Sequence, residues 1–234
     1  MGNSLSALKE HGYSLVSQQE NKILVKNEGG DQFVIKKLSA NQEESKFLLH
    51  LNHPHIVHHK EFIEDFDCLY LVLEHCEGGD LAQKIKNKRN GNATFSEIEI
   101  LDWIVKLCMA LKYLHDQQIL HKNLQPKNIF FTTFGTIRLG EFGVVHQRST
   151  EQQTTEINRS SYVAPEMLNG IPYEEKIEIW ALGCIIYELC MLKRAVRFSF
   201  HQIAKDSHYH INLRLNHWSH MDYFSNVFPS VLDL

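Results

Sequence analysis

Over residues 13–76 apolar and polar positions alternate in short runs. Residues 13–16, 22–26 and 32–38 carry β-branched and aromatic side chains. They are separated by Gln18-Gln19-Glu20-Asn21 and by Asn27-Glu28-Gly29-Gly30-Asp31, both turn-like, which predicts a three-stranded meander. Ser39 followed by Gln42 has the spacing of a capping box and predicts a helix through Leu51, stopped by His53-Pro54. Two further strands are predicted at 55–61 and 69–73. After Gly78-Gly79 the apolar period lengthens. Ser96 with Glu99 predicts the start of a helix on which Ile100, Ile104, Leu107, Leu111 and Leu114 make one buried stripe. Residues 86–94 before it are polar and basic and read as a solvated loop. The longest apolar stretch, 177–192, contains Glu178 and Glu188; it is too short and too charged to span a bilayer and reads as a buried helix. Beyond Ala195 the periodicity fades.

At 234 residues, 43% of them hydrophobic, the chain can bury the core of one domain or of two small lobes sharing a cleft. The net charge is only −4 and the 24 Lys and Arg are scattered, so no stripe suited to a phosphate backbone exists and nucleic acid is excluded as an expected partner. Five cysteines, Cys68, Cys76, Cys108, Cys184 and Cys190, sit mostly in apolar runs without a Cys-x-x-Cys pair, which predicts reduced thiols and a cytoplasmic protein. The first residues lack the apolar core of a secretory signal. They read Met1-Gly2-Asn3-Ser4-Leu5-Ser6, which is either a polar leader or a signal for N-myristoylation of Gly2. One such chain predicts weak membrane attachment.

Several phosphotransferase motifs then occur in order. Val34-Ile35-Lys36 ends the third strand, where a kinase needs an ammonium for the α and β phosphates, and Glu44 on the next helix is placed to pair with it. His121-Lys122-Asn123-Leu124-Gln125-Pro126-Lys127-Asn128 has the frame of a catalytic loop. Gly140-Glu141-Phe142-Gly143 stands at the magnesium motif, and Ala164-Pro165-Glu166 closes the activation segment.

The chain resembles the NIMA-related serine/threonine protein kinases from about Tyr13 to Ala195, through Leu69-Tyr70-Leu71-Val72-Leu73, Cys76-Glu77-Gly78-Gly79-Asp80-Leu81, Ala110-Leu111-Lys112-Tyr113-Leu114-His115-Asp116 and residues 179–192. The resemblance implies an α+β, bilobal protein-kinase-like fold. A leader occupies 1–12, a small β-rich N-lobe 13–76 and a helical C-lobe 77–194. A divergent tail, 195–234, leaves the C-lobe truncated or altered at its end. By the same resemblance Leu73 is the gatekeeper and the backbone of Glu74 to Cys76 is the hinge for adenine. Asn128 and Glu141 hold magnesium, Thr155 lies near a loop phosphosite, and Leu48, His121 and Phe142 belong to the stack that links the lobes.

Departures from that pattern fall on the chemistry. Asn123 replaces the aspartate base, and a carboxamide is not a usable base near neutral pH. Glu141 is one methylene longer than aspartate, which disturbs near-octahedral magnesium coordination. Lys122 replaces an arginine whose bidentate fork a lysine cannot supply. Gln125 replaces a lysine, and Asn158-Arg159 stands where the family has Gly-Thr. No glycine lies between the first two strands, so the phosphate-covering turn is deleted. These losses predict impaired use of ATP and magnesium, and a pseudokinase that acts through protein partners as a scaffold or regulator. A weakly active kinase is the alternative. The tail holds His201, His208, His210, His217 and His220 at spacings that match no zinc site, so zinc is not expected.

Overall fold

The computed structural model describes residues 4–19, 22–39, 43–65, 68–140, 161–168 and 174–194. The short alternating runs assemble into one antiparallel sheet of β1 (Ser14–Gln19), β2 (Lys22–Lys26), β3 (Gln32–Ser39), β4 (His59–Asp65) and β5 (Cys68–Glu74), in the order β1-β2-β3-β5-β4. The predicted meander is present. Two local expectations are corrected. Ser39 pairs with Cys68 at the end of the β3–β5 ladder, so it ends a strand, and the helix that follows begins only at Glu43. The next element is a 3₁₀ helix, Glu43–His50, rather than an α-helix. The strand expected at 55–61 begins only at His59, because the backbone before it bonds elsewhere: Val57 N donates to Leu139 O and Leu139 N to His55 O, both at 2.8 Å.

Because side chains alternate across a strand, the sheet has two apolar faces with different covers. Val25, Ile35, Ile63, Tyr70 and Val72 lie on one of them, under α1 (Ser4–Glu10), which buries Ala7 and Leu8 against them. The segment read as a leader is thus a helix of the fold. Gly12, at φ +79°, ends it in the left-handed conformation that glycine adopts without a Cβ clash, and Tyr13 N reaches back to Leu8 O at 2.9 Å. The Tyr13 hydroxyl then donates to Glu61 on β4, and His11 Nδ1 lies 3.4 Å from the same carboxylate.

The second half is helical. In α2 (Leu81–Asn90) the Asp80 carboxylate accepts from Gln83 N at 2.8 Å, an N-cap. Residues 86–90, expected in a loop, belong to this helix: Leu81 and Ile85 anchor one face and the basic residues occupy the wet one. The predicted capping box opens α3 (Glu97–Asp116), whose stripe Ile100, Ile104, Leu107, Leu111 and Leu114 is buried. A 3₁₀ turn (Pro126–Asn128), the hairpin β6 (Ile129–Phe131) and β7 (Ile137–Leu139), α4 (Pro165–Leu168) and α5 (Lys176–Met191) complete the described residues. One core runs through both halves, joining Leu48, Leu51, Ile56 and Leu71 to Leu107, Ile129, Leu139 and Leu182. Among the described residues no helix is long and apolar enough to cross a membrane.

The two glutamates inside α5 are buried, and each has partners. Glu178 accepts from Lys122 N at 2.9 Å through one oxygen and lies 2.6 Å from His115 Nε2 through the other. Lys122 has φ +59°, a conformation disfavoured for a residue with a Cβ, and the Glu178 contact helps hold it. Glu188 accepts from the Tyr162 hydroxyl and lies 3.7 Å from Arg89 Nη2. Burial and the Glu188 carboxylate push the Tyr162 hydroxyl well above its usual range, so it stays a donor.

Removing one member of such a buried set leaves the others uncompensated. Glu178→Ala should lower stability by about 3–5 kcal/mol, and Glu178→Asp by less, as read from denaturant midpoints. Acid should also destabilise the fold. Burial first, then the charges of His58 and Lys36, lower the pKa of His59 from 6.5 to about 4. The unfolded chain therefore takes up a proton near pH 6.5 that the folded one refuses until about pH 4, so stability falls as pH drops through that window. The loss is roughly 3 kcal/mol, and His59→Leu should flatten the pH dependence of the thermal midpoint there.

Candidate nucleotide cleft and catalytic loop

Strand register decides which side chains reach the cleft. Lys36 pairs with Leu71, Val34 with Leu73, and Leu73 with His59, so Lys36, Leu71, Leu73 and His59 share the sheet face opposite α1. Ile35, one residue from Lys36, is buried on the α1 side. The lysine and gatekeeper positions expected from the sequence therefore come together, with a buried histidine beside them that no sequence pattern announces. Glu44 belongs to the 3₁₀ helix, and its side chain lies outside the described residues.

The segment expected as the hinge is fastened on several sides. Glu74 N donates to His58 O at 2.9 Å, and the Glu74 carboxylate accepts from His58 N at 3.2 Å and from Arg138 Nε at 3.3 Å. This ties β5 to β4 and to the C-terminal hairpin. Cys76 is buried. Gly78 N donates to Phe131 O, and a Cβ on Gly78 would stand 2.7 Å from the Phe131 side chain, so the crossing to the second lobe needs glycine there.

Around the catalytic loop the hydrogen bonds fix one arrangement. His121, fully buried, accepts from Asn123 N on Nδ1, so Nε2 carries the proton and donates to Gly140 O at 3.0 Å. Asn128 Nδ2 donates to Asn123 O at 2.7 Å, and Gly140 N donates to Asn128 O at 3.0 Å. The segment leading to Glu141 is held from both sides. The Asn123 carboxamide oxygen accepts from the Gln125 amide, a neutral pair. A small cavity of about 40 Å³, lined by Lys122, Asn123, Gln125, Tyr162 and Met167 among others, adjoins it. Glu141, Phe142, Thr155, Asn158, Arg159 and Gly2 lie outside the described residues.

The connection between β1 and β2 is short in sequence. β1 stays paired with β2 to its last residue, Gln19 opposite Lys22, so Glu20-Asn21 is the whole link and it contains no glycine. For a magnesium ion, Asn128 offers an apt donor. Its side-chain oxygen is buried and has no hydrogen-bond partner among the described residues, so a carbonyl-type donor of the kind magnesium takes is present there. No cluster of three or more His, Cys, Asp or Glu suited to a metal occurs among the described residues.

In the sequence, Glu178 and Glu188 argue only against a membrane span. Charged residues in a buried helix need partners, and that was the available signal for the contacts to His115, Lys122 and Tyr162. His59 gave no such signal, since its burial depends on the pairing with Leu73.

Comparison with known proteins agrees with this geometry. The family described as Protein kinase domain matches residues 13–231. Serine/threonine-protein kinase Nek1 of Mus musculus is 42% identical over 186 residues, 74% of this chain and 15% of that protein. Nek3 of Mus musculus is 36% identical over 181 residues, 73% of this chain and 35% of the relative, and Nek4 of Mus musculus is 38% identical over 179 residues, 71% and 22%. The chain thus spans about a third or less of the length of these relatives. On the family match, on that similarity and on the geometry of the cleft and loop, the chain belongs to the protein kinase family, as a NIMA-related serine/threonine kinase-like domain.

Proposed function

We propose that this domain is a pseudokinase, a kinase fold kept as a protein-binding scaffold or regulator rather than as a phosphotransferase. The observation that carries the reading is Asn123. Its carboxamide stands at the base position, cannot accept a substrate proton near neutral pH, and has its oxygen engaged by Gln125. The two-residue link between β1 and β2 supports it, because phosphoryl transfer is mostly positioning and charge stabilisation and no glycine turn covers the phosphates. ATP, where bound, would set its adenine edge on the backbone of Glu74 to Cys76 and its phosphates toward Lys36. Asn128 and Glu141 would hold the magnesium that neutralises phosphate charge. The retained anchors, Glu178, His121 and Gly78, keep the shape of the fold and make it suitable as a binding surface in the cytoplasm.

In radiolabelled phosphate transfer from ATP to a generic protein substrate, the wild type should not exceed Lys36→Met. Loss of the base alone costs about 10²- to 10⁴-fold. The double variant Asn123→Asp, Glu141→Asp should remain far below kinase rates, since the link at Glu20-Asn21 is unchanged. Wild-type turnover well above Lys36→Met would replace this reading with that of a weakly active kinase. In thermal-shift titration, millimolar ATP should raise the midpoint by less than about 3 °C, with little further gain from magnesium.

A further inference from the structure

α3 is apolar on two faces. Its stripe Ile100, Ile104, Leu107, Leu111 and Leu114 is buried in the core, and a helix that packs on one side normally turns charged and polar residues to water. Here Ile98, Val105 and Met109, spaced by seven and four, fall within about 40° of one another on the side opposite that stripe. They are 80%, 56% and 50% exposed. Apolar side chains scattered singly over a surface need no explanation, but three in line on one helix form a patch with no cover in the fold. Leu101 and Cys108, half-buried along its flank, give positions 98, 101, 105 and 108 the three-four spacing of a seam between helices. Charge on this face is ordered as well. Asp102 lies between Ile98 and Val105, and Lys106 Nζ stands 2.6 Å from its carboxylate.

We propose that this face of α3 packs antiparallel on α3 of a second copy of the chain, about a two-fold axis that passes between Asp102 and Val105. A two-fold interface uses the same patch on both copies, so the patch must complement itself. This one does. In that register Ile98 meets Met109 of the other copy, Leu101 meets Val105, and the two Val105 side chains lie beside the axis. Asp102 of each copy comes against Lys106 of the other, so each acid–base pair faces the same pair reversed and opposite charges are matched. The acid at 102 and the base at 106 thus specify a second copy, in this direction, as the occupant. A seam of about four residues a side is small beside the roughly 800 Å² per partner of stable complexes, so the association is weak and concentration-dependent.

Sedimentation velocity of the full chain, from micromolar to near-millimolar concentration, reads the mass without reference to nucleotide or phosphate transfer. The wild type is expected to pass from monomer toward dimer as concentration rises. Val105→Glu sets two carboxylates beside the axis and should hold the chain monomeric, and because Val105 is exposed its thermal midpoint should stay near that of the wild type. Met109→Glu is the second such variant, read in the same way should Val105→Glu fold poorly. Asp102→Lys sets a lysine against Lys106 of the other copy and should weaken association by about threefold or more. The exchange Asp102→Lys with Lys106→Asp restores the matched order and should recover association. A wild type that stays monomeric throughout, which leaves the patch to a helix of another protein, overturns the proposal, as does a dimer indifferent to both glutamate variants. An exchange that fails to recover association overturns the antiparallel register.

Discussion

The buried carboxylate of Glu178 is the constraint on which the rest of the second lobe depends. It sits in an apolar helix, and taking a charge out of water is tolerable only where partners replace the lost solvation. Those partners are the Lys122 amide and the His115 ring, so the acid draws α3, α5 and the start of the catalytic loop to one point. Lys122 is then held in a left-handed conformation, which turns the chain so that His121 enters the core and Asn123 faces the cavity beside Tyr162. A glutamate here reaches far enough to meet both donors with its two oxygens.

From that point the anchoring passes outward through neutral hydrogen bonds. His121 holds Gly140, Gly140 holds Asn128, and Asn128 holds Asn123. At the far side of the cleft Glu74 fastens β5 to β4 and to Arg138, so both lobes reach the hairpin β6–β7. These contacts are architectural, and they survive intact. Of the groups that differ from the kinase pattern, Asn123 enters this chain of bonds through its backbone, while its side chain, Gln125 and the link between β1 and β2 are not among them. The bonds that hold the shape and the side chains at the base position are thus largely separate groups.

Much of the fold was legible from periodicity. The meander, the capping box at Ser96 with Glu99 and the stripe from Ile100 to Leu114 arise from local rules that act within a few residues. Where neighbours in sequence stopped deciding, the local pattern misled. Ser39 looked like a helix cap, but it pairs with Cys68, 29 positions away, and ends a strand. Residues 86–90 looked like a loop because they are polar, while the two apolar residues Leu81 and Ile85 sufficed to seat a helix. The first residues looked like a leader because two buried side chains, Ala7 and Leu8, make too weak a pattern to read without the sheet they cover.

Which groups the site contains can be read along the chain: the lysine on β3, the carboxamide at 123, the absence of a glycine between β1 and β2. Those are matters of residue identity and order, which chain position alone specifies. What those groups meet is set by packing. The capture of the Asn123 oxygen by Gln125, the burial of the Asn128 oxygen, and His59 facing Leu73 beside Lys36 all arise from strand register and lobe packing. Register depends on cross-strand pairing summed over a whole sheet, and burial on elements far apart in the chain, so neither is encoded in any local stretch.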